Sequence, residues 1–314
     1  MGLVRAGRHL AAVAGAVLVV ALSACASTGG VGDGGGPAVS DRHEAIEQWA
    51  GEVADAWSPT STAWKQGYVP LQEPVFVEGS LTGAEKQALA AGWWTTKVAL
   101  PTDRPSPGTV VFRDGSLKAP LLSAASSYQK MDMGDPPPCG VTPSPVVVPS
   151  GPDGSVSEPG GGDCVGLTVS GVSLSTMELR TSRGVATVPA WRFEIDGGRA
   201  VLHAAVADPA PLPSPAATPT NREVPAGMVA AQSVTGADNL DLHYSLGVGA
   251  CDHDITPIVV ERPHVVVVTG GVTRDDGTCT DQLVISPVTA SLTEPLGDRP
   301  VLDGLNGTLL PMGS

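Results

Sequence analysis

Two short segments carry residues with the spacing of known catalytic motifs. Ser127 and Lys130 match the S-x-x-K of penicillin-recognising serine enzymes, in which the lysine helps to deprotonate the serine. The companion S-D-N and K-T-G motifs are missing, so we favour a short exposed helix. His43 and Glu44 lie on a predicted helix, but position 47 is Glu47 rather than the second histidine of a zinc-protease motif. The sequence therefore assigns no catalytic residue.

A cluster of acidic residues and one histidine contains the residue types of a metal site. Its members are Asp252, His253, Asp254, Asp275 and Asp276. Carboxylate oxygens and an imidazole together are possible metal ligands. Adjacent residues of a strand point to opposite faces, so the triplet 252–254 converges on one ion only if it lies in a loop. We favour an ordinary acidic loop and predict neither a metal site nor a cofactor.

The N-terminal residues predict export and a lipid anchor. Arg5 and Arg8 precede the apolar run 10–22, which has the length of a signal-peptide core and is too short to span a bilayer. The run ends in Leu-Ser-Ala-Cys, which resembles the lipobox of bacterial lipoproteins, where the cysteine is acylated and becomes the new N-terminus. The alternative is cleavage at an ordinary small-residue site. The resemblance implies a signal peptide 1–24, acylation of Cys25, and a lipid-anchored location on the extracytoplasmic face of the plasma membrane.

Four cysteines remain once Cys25 is set aside: Cys139, Cys164, Cys251 and Cys279. An even number suits a disulfide-bonded chain outside the cytoplasm, and four cysteines allow three pairings. The proline-rich segment 208–225 separates the first two from the last two, which favours sequential pairing. The alternative is a four-cysteine zinc site, but no C-x-x-C pair is present.

Aromatic side chains are concentrated in the first part of the chain. Nine of the twelve lie before position 130. Trp49 and Trp57 recur on one helical face and are expected in the core. Trp93 and Trp94 are consecutive on a predicted strand, so one is expected to face inward and the other outward. An outward tryptophan would form a binding surface for a sugar or a peptide, whereas core packing of both is the favoured alternative.

Composition and charge exclude one class of partner. The 314 residues include 39 glycines and 29 prolines, which is typical of β-rich domains joined by loops. Thirty-two acidic against 18 basic residues give a formal charge of −14, so the chain lacks the basic surface of a nucleic-acid-binding protein. Residues 25–39 are rich in glycine, serine and threonine and are expected to form a flexible tether.

Local signals predict an N-terminal α+β domain over residues 40–207. Apolar residues at helical spacing follow a capping signal at Asp41, and Thr82 opens a second, alanine-rich helix that Gly92 ends. Residues 93–100 predict a strand, and a turn at Asp114-Gly115 predicts a hairpin. The segment 134–162, rich in glycine, proline and serine, is expected to be a disordered loop.

Alternating apolar and polar residues predict strands from 167 to 195, with turns at 182–184 and 196–198. After the linker 208–225, a second strand series with a turn at 275–277 predicts a C-terminal β domain, 226–314. The predicted fold class is α+β and mainly antiparallel β. An N-terminal α+β region is followed by a small antiparallel β module pinned by a disulfide.

Four strings resemble a group of actinobacterial membrane lipoproteins: TSRGVATVPAW at 181–191, GACD at 249–252, GTCT at 277–280 and PLGDRPVLD at 295–303. The similarity extends from about Trp49 to Asp303 behind the same kind of lipobox. It implies a membrane-anchored extracytoplasmic location and a disulfide between Cys251 and Cys279, whereas a bridge between Cys139 and Cys164 is a less regular feature. The group has no assigned activity to transfer.

These inferences favour a non-enzymatic binding or structural module of the cell envelope. Its expected partners are the lipid bilayer, through acylated Cys25, and an envelope protein or cell-wall glycan. The alternative is a cell-wall or peptide hydrolase whose active site no motif reveals.

Overall fold

The computed structural model describes residues 39–134, 166–274, 277, 279–280 and 282–313. Within these ranges the helices are α1 Val39–Ala56, α2 Thr62–Gln66, α3 Gly83–Ala91 and α4 Ala124–Met131. The strands of the N-terminal part are β1 Val75–Glu78, β2 Trp94–Thr96, β3 Gly108–Phe112, β4 Gly115–Ala119, β5 Leu167–Thr181, β6 Gly184–Ile195 and β7 Arg199–Ala204. Those of the C-terminal part are β8 Met228–Val229, β9 Ala231–Asp238, β10 Asp241–Gly249, β11 Asp252–Arg262, β12 Val265–Arg274, β13 Leu283–Ser291, β14 Val301–Asp303 and β15 Leu309–Leu310.

The first sheet is organised around β6. Strand β5 pairs along one edge of β6, while β7 pairs with its second half on the other edge and β3 meets it at Thr187. Strand β1 adds to β7 at one end of the sheet, the hairpin partner β4 lies outside β3, and β2 runs parallel to β5. The turns at 182–184 and 196–198 and the Asp114-Gly115 hairpin are confirmed, because the flanking strands pair antiparallel.

Two further sheets form the C-terminal part. Strands β13, β10 and β9 make an antiparallel sheet, and β11, β12, β14 and β15 make a second, mixed sheet, to which β8 adds at β12. The pairing of β12 with β14 is parallel. Apolar side chains of both sheets share one core, in which Leu242, Leu246 and Val268 are fully buried. The predicted α+β, mainly antiparallel fold is therefore confirmed.

Helix α1 packs on this C-terminal part rather than on the first sheet. Its apolar face, predicted from the spacing of Ile46, Trp49 and Val53, is buried against a core that includes Val265 and Val267 of β12. The segment 208–225 contains no helix or strand, and the Ala216 amide donates to the Gly307 carbonyl oxygen at 2.9 Å. By Cα packing, Ala38–Ser314 is one compact unit, and the proline-rich segment 208–225 lies within that unit.

Several predictions concern residues outside the described ranges. These are the signal peptide 1–24, acylated Cys25, the tether up to residue 38, Cys139, Cys164, nearly all of the loop 134–162, and the turn residues 275–276. Of the predicted tether, Val39 is described, as the first residue of α1. No helix in the described part of the chain has both the length and the apolar character needed to cross a bilayer.

Candidate functional site

A pocket of about 980 Å³ lies between α3, α4 and the edge strand β1. We call it the α3–α4 pocket; its walls are formed by Glu73, Pro74, Val75, Val77, Gly79, Ser80, Leu81, Lys86, Leu89, Ala90, Gly92, Lys130, Met131, Met133 and His203. Most of these side chains are apolar, with a small number of polar groups among them. Small-molecule sites in proteins combine the same features at volumes of about 300–1,000 Å³.

The floor of the pocket is set by the register of β1 against β7. Val75 lies directly opposite His203, and Val77 lies opposite Val201. Residues that face each other across an antiparallel pair place their side chains on the same side of the sheet. Val75, Val77 and His203 therefore present one face to the pocket, while Phe76 points to the opposite face and is exposed.

Helix α3 forms one wall because its N-terminus is fixed to the sheet. Thr82 and Glu85 make a complete capping box, as the sequence predicts, and Glu85 also pairs with Arg199 of β7. This ion pair and the cap together lower the pKa of Glu85 to about 2. With the first turn held in this way, Lys86, Leu89 and Ala90 follow at helical spacing along the pocket.

Gly92 ends α3 and brings the residues after α4 to the pocket. Its φ of 67° is left-handed, the conformation that favours glycine at a helix C-terminus. The Met133 amide donates to the Gly92 carbonyl oxygen at 2.9 Å, and a Cβ on Gly92 would lie 2.7 Å from the Met133 side chain. A larger residue at position 92 would therefore displace Met133 from the pocket wall.

His203 is the most buried polar side chain of the pocket. It is 4% exposed, and its Nδ1 has no hydrogen-bond partner among the described residues. Burial, and next the Lys130 ammonium nearby, lower the pKa of His203 to about 4, against a smaller opposing effect of the Ala204 backbone. At neutral pH the imidazole is uncharged, and a neutral imidazole ring has one hydrogen-bond donor and one acceptor.

Two exposed lysines give the pocket a positive rim. Neither Lys86 nor Lys130 lies within 4.0 Å of a carboxylate in the described part of the chain. Among the described lining residues Glu73 is the one carboxylate. An excess of positive charge at this place stands out in a chain whose formal charge is −14.

The serine of the S-x-x-K match does not form a catalytic pair. Ser127 lies on α4, is fully buried, and its Oγ has no hydrogen-bond partner among the described residues. Lys130 is exposed and lines the pocket, which Ser127 does not. The expected helix is present, but its serine is buried rather than exposed. An activated serine requires a base within hydrogen-bonding distance, and this serine has none.

Of the two tryptophans predicted to form a binding surface, one is buried in the core and the other is half-buried beside it. Trp94 is 2% exposed and its ring meets Tyr128 edge-on at 6.3 Å between centroids. Trp93 is half-buried and packs against the same core. The strand is shorter than the predicted 93–100, since β2 ends at Thr96. Trp94 is therefore the inward member of the pair, and Trp93 is its less buried neighbour at the sheet end.

The acidic triplet 252–254 begins β11 rather than gathering round an ion. Asp252 accepts hydrogen bonds from the Gly249 amide at 2.7 Å and from Arg274 at 2.9 Å. His253 lies 3.6 Å from Asp254. Within the described residues no group of three or more metal-ligating side chains comes together, and Asp275 and Asp276 lie outside them. On α1, His43 contacts Glu47 on an exposed face at 3.2 Å.

The disulfide implied by the sequence resemblance is present. Cys251, in the turn between β10 and β11, is bonded to Cys279, in the connection between β12 and β13. The bridge closes a loop of 28 residues and pins the end of the C-terminal β part. Cys25, Cys139 and Cys164 lie outside the described residues.

The sequence analysis did not identify His203 or Lys86. The available signal was a lone histidine in β7, whose neighbours Val201, Leu202 and Ala204 are all apolar. A lone histidine in such a strand is ordinarily a core residue with a hydrogen-bond partner. The packing of β1, α3 and α4 around it makes His203 line a cavity while its Nδ1 has no hydrogen-bond partner among the described residues.

The geometry of the α3–α4 pocket is the basis for assigning a function, because comparisons with known proteins gave no match. The chain matches no protein-family model, and neither the curated proteins nor the solved structures include one similar to it.

Proposed function

We propose that this protein is a lipid-anchored extracytoplasmic lipoprotein of the cell envelope that binds a small, largely apolar molecule with a polar group in the α3–α4 pocket without transforming it. The location rests on the sequence, through the lipobox at Cys25 and the signal-peptide pattern before it. The binding role rests on the pocket. It replaces the outward member of Trp93 and Trp94 as the binding surface, because Trp94 is buried and Trp93 is half-buried against the same core.

The observation that carries the binding role is the buried imidazole at the pocket floor. A buried polar atom without a partner destabilises a fold by about 1–3 kcal/mol, so native proteins contain few of them. His203 Nδ1 is such an atom, and the side chain that carries it lines an apolar cavity large enough for a small molecule. A ligand with a polar group that reaches the imidazole would give the ring a hydrogen-bond partner and offset that penalty.

A hydrolase is the less well supported alternative. Acyl transfer needs a nucleophile, a base that activates it and donors for the oxyanion, all converging on one cleft. The lining of the α3–α4 pocket contains one small hydroxyl residue, Ser80, together with His203. His203 is held neutral by burial rather than oriented by a carboxylate, which is the arrangement of a ligand contact.

Filling the pocket tests the proposal with a matched control. Ala90 lines the pocket from α3, whereas Ala84 is an equally exposed alanine of the same helix outside the lining. With the neutral fluorescent probe N-phenyl-1-naphthylamine, Ala90→Trp should weaken binding about tenfold or more because the indole occupies the cavity. Ala84→Trp should bind as the unmodified chain does. Equal binding by both variants, or none by the unmodified chain, would refute the binding role.

The anchor is tested separately from the pocket. Cys25→Ser removes the thiol that carries the acyl chains, so the protein should leave the membrane fraction or accumulate unprocessed. Unchanged fractionation and mass would refute the lipoprotein assignment while leaving the pocket untouched.

A further inference from the structure

We infer that the α3–α4 pocket takes an aliphatic amphiphile with a terminal anion, a carboxylate or a phosphate monoester, whose head is bound by Lys86, Lys130 and the imidazole of His203. The inference rests on the proposed function and adds the chemical class of the ligand. It follows from which polar groups border the pocket and where they lie relative to its apolar walls.

The pocket combines polar and apolar lining groups. Lys130 lies near enough to His203 for its charge to lower the pKa of the imidazole, so a positive charge and a neutral hydrogen-bonding group are neighbours in the lining. Met131 and Met133 line the pocket beyond Lys130 in the chain, while Val75 lies opposite His203 in β1. A ligand with a polar end and an apolar remainder matches this combination of groups.

The charge of the polar end selects an anion. Lys86 and Lys130 carry positive charge at the rim, and neither has a carboxylate within 4.0 Å in the described part of the chain. Glu73 offsets one of the two charges. The imidazole of His203 is neutral, so it adds a hydrogen-bond donor without the desolvation penalty of a third buried charge.

The apolar walls select a chain rather than a compact polar anion. Leu81, Leu89, Val75 and Val77 contribute branched aliphatic side chains, and the two methionines add flexible thioethers that adapt to different chain positions. Binding of such a chain removes apolar surface from water, which is favourable roughly in proportion to the area buried. Inorganic phosphate alone lacks this contribution and is expected to bind poorly.

Displacement of N-phenyl-1-naphthylamine from the full chain carrying Cys25→Ser measures the selectivity. That substitution removes the acyl chains, which would compete for the pocket, and leaves every lining residue in place. The competitors are dodecanoate, dodecyl phosphate and the neutral dodecan-1-ol, and the first two distinguish the two head groups. We expect at least one anion to displace the probe at about tenfold lower concentration than the alcohol, since two charges contribute.

Charge-matched double variants assign the preference to the rim. Lys86→Gln with Lys130→Gln should remove the preference for the anion while keeping the probe bound. Lys65→Gln with Lys118→Gln makes the same change in net charge at exposed lysines outside the lining and should keep the preference. An equal loss in both double variants, or no preference in the unmodified chain, would overturn the inference. Failure of the probe itself to bind would instead refute the proposed function.

His203 is tested by two substitutions that each remove a buried polar atom without a partner. His203→Phe should weaken binding of the preferred anion about fivefold, because one hydrogen bond to the head is lost. Ser127→Ala removes a similar atom that does not line the pocket and should leave binding unchanged. Equal anion affinity in the unmodified chain and His203→Phe would exclude the imidazole from the head site.

Discussion

Buried polar groups differ in whether they have hydrogen-bond partners between the C-terminal sheets and the α3–α4 pocket. In the C-terminal sheets, Asp303 accepts from the Ala231 and Asn306 amides, and the Tyr244 hydroxyl donates to the Thr269 carbonyl oxygen. Around the α3–α4 pocket, His203 and Ser127 are buried without partners among the described residues. The C-terminal sheets therefore pair these buried polar groups, whereas the region of the pocket keeps bonding capacity that its own fold does not use. Trp49 of α1, which packs on the C-terminal sheets, also has an Nε1 without a partner among the described residues.

The ion pairs and the disulfide extend this contrast. Glu261 and Arg299 form a pair at 2.8 Å in which both side chains are largely buried, and Cys251–Cys279 closes the adjoining end of the C-terminal strands. At the pocket the two lysines have no such partner in the described part of the chain. Lys65 and Lys118 also have no carboxylate within 4.0 Å in the described part of the chain, so Lys86 and Lys130 are distinguished by their position in the lining of the α3–α4 pocket.

The largest effect should come from removing a fully partnered group in the C-terminal half. Asp303→Ala leaves two buried amides without an acceptor, so the free energy of unfolding should fall by about 4 kcal/mol. Asp303→Asn keeps an acceptor oxygen and should lose less than half of that. Urea unfolding of both variants measures the difference. Equal small losses would show that the aspartate is not the bond acceptor that stabilises this core.

Removing the disulfide should have the second-largest effect on the free energy of unfolding. Cys251→Ser with Cys279→Ser frees the loop in the unfolded chain and should lower the free energy of unfolding by about 3 kcal/mol. Binding of the neutral probe at the α3–α4 pocket should survive under conditions where the fold persists. Loss of probe binding in a folded variant would break the division between the two halves.

Lowering the pH should decrease the free energy of unfolding, because His203 binds a proton more readily in the unfolded chain. The pKa of His203 is about 4 in the folded chain against an ordinary 6.5, so the unfolded chain binds more protons between these values. Stability is therefore fully present above about pH 6.5 and should have fallen by about 2 kcal/mol at pH 5. His203→Phe should lose this slope. A slope that persists unchanged in the variant would assign it to other groups.

Local rules predicted much of the fold. The apolar face of α1, the capping box of α3 with Gly92 at its end, and the turns at 182–184 and 196–198 depend on neighbouring residues, and all were found. Strand β5 shows where local patterns mislead. Leu174 belongs to the alternating run 167–195 and lies opposite the buried Trp191, yet its side chain is exposed.

Contacts between distant segments could not be predicted in the same way. The parallel pairing of β2 with β5, and the packing of α1 on β12, join segments far apart in the chain. The α3–α4 pocket likewise exists only because β1 and β7 pair and two helices close over them. Its two lysines and its histidine come from three elements, and no sequence motif connects them.

The most direct test of the central claim, that His203 is kept without a partner for a ligand, is the stability of His203→Phe with and without the anion that binds best. In the absence of ligand the variant should be about 1 kcal/mol more stable than the unmodified chain at pH 7, because a buried atom without a partner is gone. The stabilisation that the anion confers should shrink in the same variant. A variant that is less stable without ligand, and that gains as much from the anion as the unmodified chain does, would contradict the account.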